Sequence, residues 1–285
     1  MKTIRAGGAF AVVVLAAAMA WAAPTPGRTF VVVMPSGPKD IKTVAPYLNT
    51  FLDYLEKHEG VATGTYNAYY HSTLAKGESA LLKKSPGFAM LSLGIYLKHR
   101  DALKMKVIAG LEIDGKRTAV YHLVSLAADM KGRTMADLAG KRLVWSRFDD
   151  TTFVNRVLLE GKGFDGHFTE VAVAAPVQAV RALLKGEADL ALLKDDELAA
   201  AKKIPGAEKL VVVYSPKPVP YPPVVAMEGV ASAADIKGIT AALRGMCADK
   251  AGKGAAICAD FDISRFAPAT AADYASLAKR YAASK

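Results

Sequence analysis

Short, continuous apolar runs recur along this chain, each followed by a stretch of helical periodicity, and this alternation narrows the possible folds more than any other feature. Residues 29–34 (T-F-V-V-V-M) are the first such run. They are apolar at successive rather than alternate positions, as in a strand covered on both faces. The run stops at Pro35, Ser36, Gly37 and Pro38, and a helical pattern follows through Val44, Tyr47, Leu48, Phe51, Leu52 and Leu55. Further strands are expected at 65–70, 88–91 and 106–111, with helices over 74–82 and 95–103. The middle of the chain repeats the grammar, with strands at 120–126, 141–145, 170–173, 189–193 and 210–214. Helices are expected there over 152–160, 177–184 and 197–202, and Thr134 with Asp137 three residues on reads as a capping box. Residues 224–226 form one more strand, and the last fifty-odd residues read as helical, broken by a cysteine loop and by Pro268. Strands separated by helices imply open α/β sheets with right-handed crossovers.

The elements fall into two sets joined by crossings near 115–121 and 215–223, and the tail most simply rejoins the first set. This gives two lobes, 23–122 with 217–285 and 123–216, connected by paired segments suited to a hinge. Ligands of such sheets sit at the carboxyl ends of strands, in the cleft between the lobes.

The amino terminus adds a compartment. Lys2 and Arg5 precede an apolar run from Ala9 to Ala20, and Ala20, Trp21 and Ala22 fit the small-x-small pattern of signal-peptide cleavage. The run is too short for a membrane span, which needs roughly 20 residues. Residues 1–22 therefore read as a signal peptide, and the absence of a nearby cysteine argues against a lipid anchor. The product is expected to be soluble and periplasmic. The formal net charge of +10 is spread along the chain; with no basic run interleaved with aromatics, nucleic acid is excluded as a partner. Cys247 and Cys258 are the two cysteines, and in an oxidising compartment they read as one structural disulfide around a glycine-containing turn. A loop of this length contributes on the order of 2–3 kcal/mol.

Catalytic signatures are scarce. The chain has no G-x-S-x-G elbow, no P-loop and no H-E-x-x-H. Ser276 and Lys279 have S-x-x-K spacing but lie in the last expected helix. His58, His71, His99, His122 and His167 lack metal-ligand spacing, although His71 and His122 fall near strand ends. Tyr69, Tyr70, Tyr96, Tyr121 and Tyr214 read as cleft walls or as strand packing. Trp145 is expected in the core with one edge toward the cleft.

The order of motifs from Asp137 onward carries a family resemblance. D-L-A-G-K-R-L at 137–143 starts a strand and is followed by a polar turn at 146–152. Q-A-V-R-A-L-L-K-G-E-A-D follows at 178–189, then Ser215-Pro216, P-P-V-V at 222–225, and Asp273-Tyr274 beyond Phe266 and Pro268. Together these resemble the phosphate/phosphonate-binding family of periplasmic solute-binding proteins of ABC transporters, over nearly the whole mature chain. The resemblance implies a type II two-lobed fold, each lobe a mostly parallel sheet flanked by helices, closing on a small anion held by strand-to-helix turns. In this chain those turns carry Pro35 and Ser36; Ser92, Leu93 and Gly94, with Tyr96 beyond; and Ser146 to Thr152, including Arg147, Thr151 and Thr152. Tyr121 and Lys194 complete the expected contacts. Hydroxyls and free backbone N–H groups suit an oxyanion, and Arg147 offers a bidentate contact. Lys194 reads equally as a solvated residue near a helix start.

The turn at 147–153 departs from the Ser/Thr-rich run usual in phosphonate binders. Asp149 and Asp150 stand there, either as helix caps or as carboxylates that would repel a dianion. The functional expectation is a non-enzymatic, monomeric receptor without cofactor, passing a small anionic ligand to an ABC permease in the inner membrane. The alternatives are a sensing module for a membrane kinase, a small-molecule enzyme on the same scaffold, and a scaffold whose cleft has degenerated.

Overall fold

The computed structural model describes residues 26–35, 37–130 and 132–283. The segment read as an export signal and Ser36 lie outside these residues. The chain runs through β1 (Thr29–Val33), α1 (Ile41–Glu59), β2 (Asn67–His71), α2 (Leu74–Lys84), β3 (Phe88–Met90), α3 (Leu93–His99) and β4 (Met105–Ile113). A short strand, β5 (Thr118–Ala119), leads to β6 (Tyr121–Ser125), β7 (Arg142–Ser146), α4 (Thr151–Phe153), β8 (Thr169–Val173), α5 (Pro176–Leu184), β9 (Leu190–Lys194), α6 (Asp195–Ala201) and β10 (Val211–Tyr214). The return passes through β11 (Val219–Pro220) into β12 (Pro223–Met227), α7 (Ala233–Met246), α8 (Gly254–Asp260), β13 (Ile263–Ala267) and α9 (Ala275–Ala282).

The strands form a six-stranded sheet, β13-β4-β12-β3-β1-β2, and a five-stranded sheet, β10-β6-β9-β7-β8. In the first, β1 to β4 run one way and β12 and β13 the other; in the second only β6 is reversed. Both sheets are thus mixed: the pairs among β1 to β3 and among β7 to β9 are parallel, and those made by β6, β12 and β13 are antiparallel. The first strand after each crossing, β6 or β12, runs against its neighbours because the chain enters from the edge where their carboxyl ends lie. The crossings themselves pair antiparallel, Val219 against Ala119 and Pro220 against Thr118, and the Tyr221 amide donates to the Arg117 carbonyl at 3.2 Å.

Side-chain alternation along β1 divides the core. Phe30 turns to a layer with Phe51, Leu55, Phe88, Ile239 and Leu243 under α1 and α7. Val31 and Val33 turn to the opposite face, where Leu91 and Tyr96 are continuous with Trp145, Phe153 and Val154 of the second sheet's side. One apolar cluster therefore joins the two sheets. Burial of this kind stabilises by about 25 cal/mol per Å² of apolar surface, so the sheets are held together by more than their crossings. A third cluster, built on Val124, Val144, Val180 and Leu193, seals the far face of the second sheet. Under α1 the packing is incomplete: Val32, Met34, Leu111, Ile257 and Phe266 line an apolar cavity of about 490 Å³.

Three features differ from the sequence expectation. The tail is not all helical, because Ile263–Ala267 is a strand paired to β4 with a register shift between Ile263 and Arg265. The helix expected over 152–160 is one short α-turn followed by a π-helical turn, Val154–Leu158. This wider turn accompanies the inward placement of Asn155, which is 6% exposed and accepts from the Phe164 amide at 3.1 Å. Finally, α9 does not simply rejoin the first set: Arg280 donates to the Val157 carbonyl at 3.2 Å and Arg156 donates to the Tyr281 carbonyl at 2.8 Å. The Cys247–Cys258 disulfide is present, joining the end of α7 to α8.

Candidate functional site

The turn between β3 and α3 on the first sheet meets the turn between β7 and α4 on the second. Asp149, 5% exposed, makes the junction. Its Oδ1 accepts from the Gly94 amide at 3.0 Å and from the Asp150 amide at 2.8 Å. Gly94 permits the approach, since a Cβ there would collide with both the Asp149 and the Asp150 carboxylates. The Ser92 hydroxyl, in a residue 6% exposed, has no hydrogen-bond partner of full geometry, yet it acts on the Asp149 carboxyl as a hydrogen-bonding neighbour. Burial and then the charge of Asp150 push the Asp149 carboxyl up to about 7, against the pull of the Asp150 and Gly94 amides and the Ser92 hydroxyl. Asp150 caps α4, its Oδ1 accepting from the Phe153 amide at 2.6 Å. Its Oδ2 accepts from the Tyr281 hydroxyl at 3.2 Å. Burial raises its titration as well.

Aromatic rings line the same junction. Tyr121 stacks on Phe148 with centroids 5.1 Å apart, and Phe148 meets Trp145 edge-on at 5.7 Å. Burial, and then the nearby Asp149 and Glu197, hold the Tyr121 hydroxyl well above the ordinary phenol range. On the first-sheet side Tyr96 packs edge-on against Tyr274 at 5.3 Å, and the Tyr274 hydroxyl donates to the Tyr221 carbonyl at 3.0 Å.

The residues expected at the site separate accordingly. Ser92, Tyr121 and the backbone of the 146–152 turn come together. Leu93 and Tyr96 are 4% and 1% exposed, and their side chains are core. Ser146 is buried, its carbonyl accepting from the Phe148 amide at 2.6 Å. Arg147 extends along the sheet edge to Glu170 at 3.1 Å, whose Oε1 also accepts from Trp145 Nε1 at 3.0 Å. Trp145 is 0% exposed, so Phe148, not Trp145, presents its ring to Tyr121. Thr151 is exposed and Thr152 half-buried on the first turn of α4. Lys194 pairs with Asp196 at 3.1 Å, while its amide donates to Glu197 at 2.8 Å. Pro35 is half-buried on the turn after β1, whose flanking residues Met34 and Pro38 line the apolar cavity under α1.

Sequence reasoning placed Gly94 and Phe148 within these turns without giving either a contact, and it missed Tyr281. Only the glycine carried a signal, as a residue without Cβ two positions after Ser92. Among the histidines, His122 lies between Ser215 Oγ at 2.7 Å from Nδ1 and Asp195 Oδ1 at 2.6 Å from Nε2, at the root of both crossings. Among the described residues no group of three or more His, Cys, Asp or Glu is placed to hold a metal ion. No helix among them is long and apolar enough to cross a membrane.

Known proteins share this architecture. XAC2383 from Xanthomonas citri bound to ATP superposes with a TM-score of 0.70 at 14% identity, covering 90% of this chain and 96% of that one. PhnD1 from Prochlorococcus marinus in complex with methylphosphonate gives 0.63 at 13% identity, covering 90% and 97%. A binding protein component of an ABC phosphonate transporter from Pseudomonas aeruginosa gives 0.62 at 12%, covering 87% and 83%. At these identities the likeness establishes the fold, that of type II periplasmic binding proteins. No curated protein matches the chain in sequence. Residues 42–274, however, match the family described as ABC transporter, phosphonate, periplasmic substrate-binding protein. Two facing sheets, paired crossings and opposed strand-end turns thus coincide with a sequence match over most of the chain, and the protein belongs to the periplasmic substrate-binding family of phosphonate ABC transporters.

Proposed function

We propose that this chain is exported through residues 1–22 and acts in the periplasm as a monomeric, cofactor-free receptor for a small anionic ligand. The ligand is taken between two lobes, 23–122 with 217–285 and 123–216, and delivered to an ABC permease. The observation that carries this reading is the meeting of the two turns. The Gly94 N–H and the buried Ser92 hydroxyl from the first lobe face a carboxylate from the second, which also accepts from its own neighbour's amide, so the space between them suits an oxyanion. The crossings pair through a two-residue ladder and one further backbone bond, and a ribbon this narrow suits bending between lobes. The methylphosphonate in PhnD1 and the ATP in XAC2383, both anionic, are consistent with this ligand class. The residue types of a nucleophilic relay at Ser215, His122 and Asp195 do not favour an enzyme: both ring nitrogens of His122 are taken up in tying β6 to α6 and to the start of the return crossing.

Native mass spectrometry of protein purified without dialysis tests the reading. The expected result is an added mass, lost on denaturation, from a small acidic compound. A bare chain, together with no thermal shift across phosphate, sulfate and a panel of phosphonates, would overturn it.

A further inference from the structure

We propose that Asp149 is a resident occupant of the cleft: its carboxyl latches the lobes together without ligand, and an incoming anion must displace it. This deepens the receptor reading and rests on it for the identity of the competitor; the latch itself is testable without any ligand.

Geometry supports the latch from both sides. The Gly94 amide, on one lobe, donates to a side chain 55 positions away on the other. The contact is buried, and a Cβ at Gly94 would overlap both carboxylates, so any larger residue there must displace the Asp149 and Asp150 side chains from the positions they hold. Beside it the Ser92 hydroxyl, 6% exposed and lacking a partner of full geometry, faces the same carboxyl. Tyr281 reinforces the position through Asp150. A donor that an oxyanion would need is therefore already engaged by the protein's own carboxyl, with the Ser92 hydroxyl beside it. An anion that replaces it must first part the turns, and it meets Asp150 there as a second negative group. A closed, unliganded form lowers the apparent affinity by the fraction of molecules competent to bind. Dianions are the species most disfavoured.

Small-angle X-ray scattering of the ligand-free protein, with titration of methylphosphonate and of inorganic phosphate, tests this on wild type, Asp149→Ser, Asp149→Asn and Gly94→Ala. Asp149→Asn keeps an acceptor for the Gly94 amide, so it and the wild type are expected to stay compact. Asp149→Ser and Gly94→Ala, which break the contact from opposite lobes, are expected to show a larger radius of gyration with unchanged secondary structure. Asp149→Ser is expected to bind the better of the two anions about ten- to a hundredfold more tightly than wild type, the worth of a hydrogen bond to a charged group. Equal radii for all four proteins would overturn the latch. Expansion of Asp149→Ser with no gain in anion affinity would overturn the competition. Failure of the receptor reading itself appears elsewhere, as a bare chain in the native spectrum, and leaves the scattering result unaffected. Should Asp149→Ser not fold, Gly94→Ala against Asp149→Asn carries the same comparison.

Discussion

A carboxyl that titrates near neutrality makes the latch sensitive to pH. Asp149 is held up to about 7 by burial and by Asp150; Tyr121 and Tyr281 face it as neutral phenols, both raised chiefly by burial. Of the cations nearby, Lys98 acts on Asp150 and Arg156 on Tyr281. In an open or unfolded chain Asp149 is hydrated and titrates in the ordinary aspartate range, about 3.9. The closed form therefore holds its proton to higher pH than the open form does. Closure is at full strength below the ordinary range and is lost progressively as pH rises through about 7, a span worth on the order of 4 kcal/mol. The radius of gyration and the melting temperature, compared at pH 5 and pH 8, should show wild type opening and losing stability at the higher value. Asp149→Asn should respond much less. The cap at Asp150 was readable from an Asp placed before Thr151, Thr152 and Phe153, because a cap is local. The role of Asp149 was not, because its partner lies on a turn of the other sheet.

Local periodicity located the strands because most of them are buried on both faces, and it failed where the backbone adds a residue. In β13 the register shift between Ile263 and Arg265 puts Ser264 and Arg265 outward in succession, which hides the period of two. The π-turn at Val154–Leu158 likewise breaks the helical spacing that a sequence window assumes. The cavity under α1 was equally invisible, since composition does not reveal which face of a strand is underfilled. It yields a prediction at adjacent residues of one strand. Val32 lines the cavity, whereas Val31, 0% exposed, packs in the filled layer between the sheets. Val32→Ile should be neutral or stabilising by up to about 1 kcal/mol, because the added methyl has room and more partner atoms. Val31→Ile should cost roughly 1–3 kcal/mol through overpacking. Denaturant unfolding of the two variants distinguishes them, and equal losses would mean that the cavity is not available to β1.

Across the whole molecule, the order of elements allowed two sheets and two crossings to be read from the sequence, but not which parts move together. The terminal helix is the clearest case. Its chain position assigns α9 to the first lobe, and Leu277 and Ala278 do enter the cluster shared between the sheets. Its polar contacts, however, go to the second: Arg280 to Val157, Arg156 to the Tyr281 carbonyl, and the Tyr281 hydroxyl to Asp150. Arg280 is half-buried, and burial lowers its titration, so these are not loose surface pairs of negligible worth. Opening of the cleft must break either these bonds or the packing of α9 on α3, and the bonds are fewer and more easily replaced by water. Opening is therefore expected to leave α9 with the first lobe and to expose the π-turn. Hydrogen exchange checks this on Arg156→Gln combined with Tyr281→Phe, which removes two of the three bonds without touching the apolar face of the helix. Amides of Val154–Leu158 and of α9 should exchange about tenfold faster or more, in keeping with the 1–2 kcal/mol that two such bonds contribute, while the strands of both sheets keep their protection. Unchanged exchange in both segments would mean that apolar packing alone holds α9 across the junction, and that these bonds do not decide which lobe the helix follows when the cleft opens.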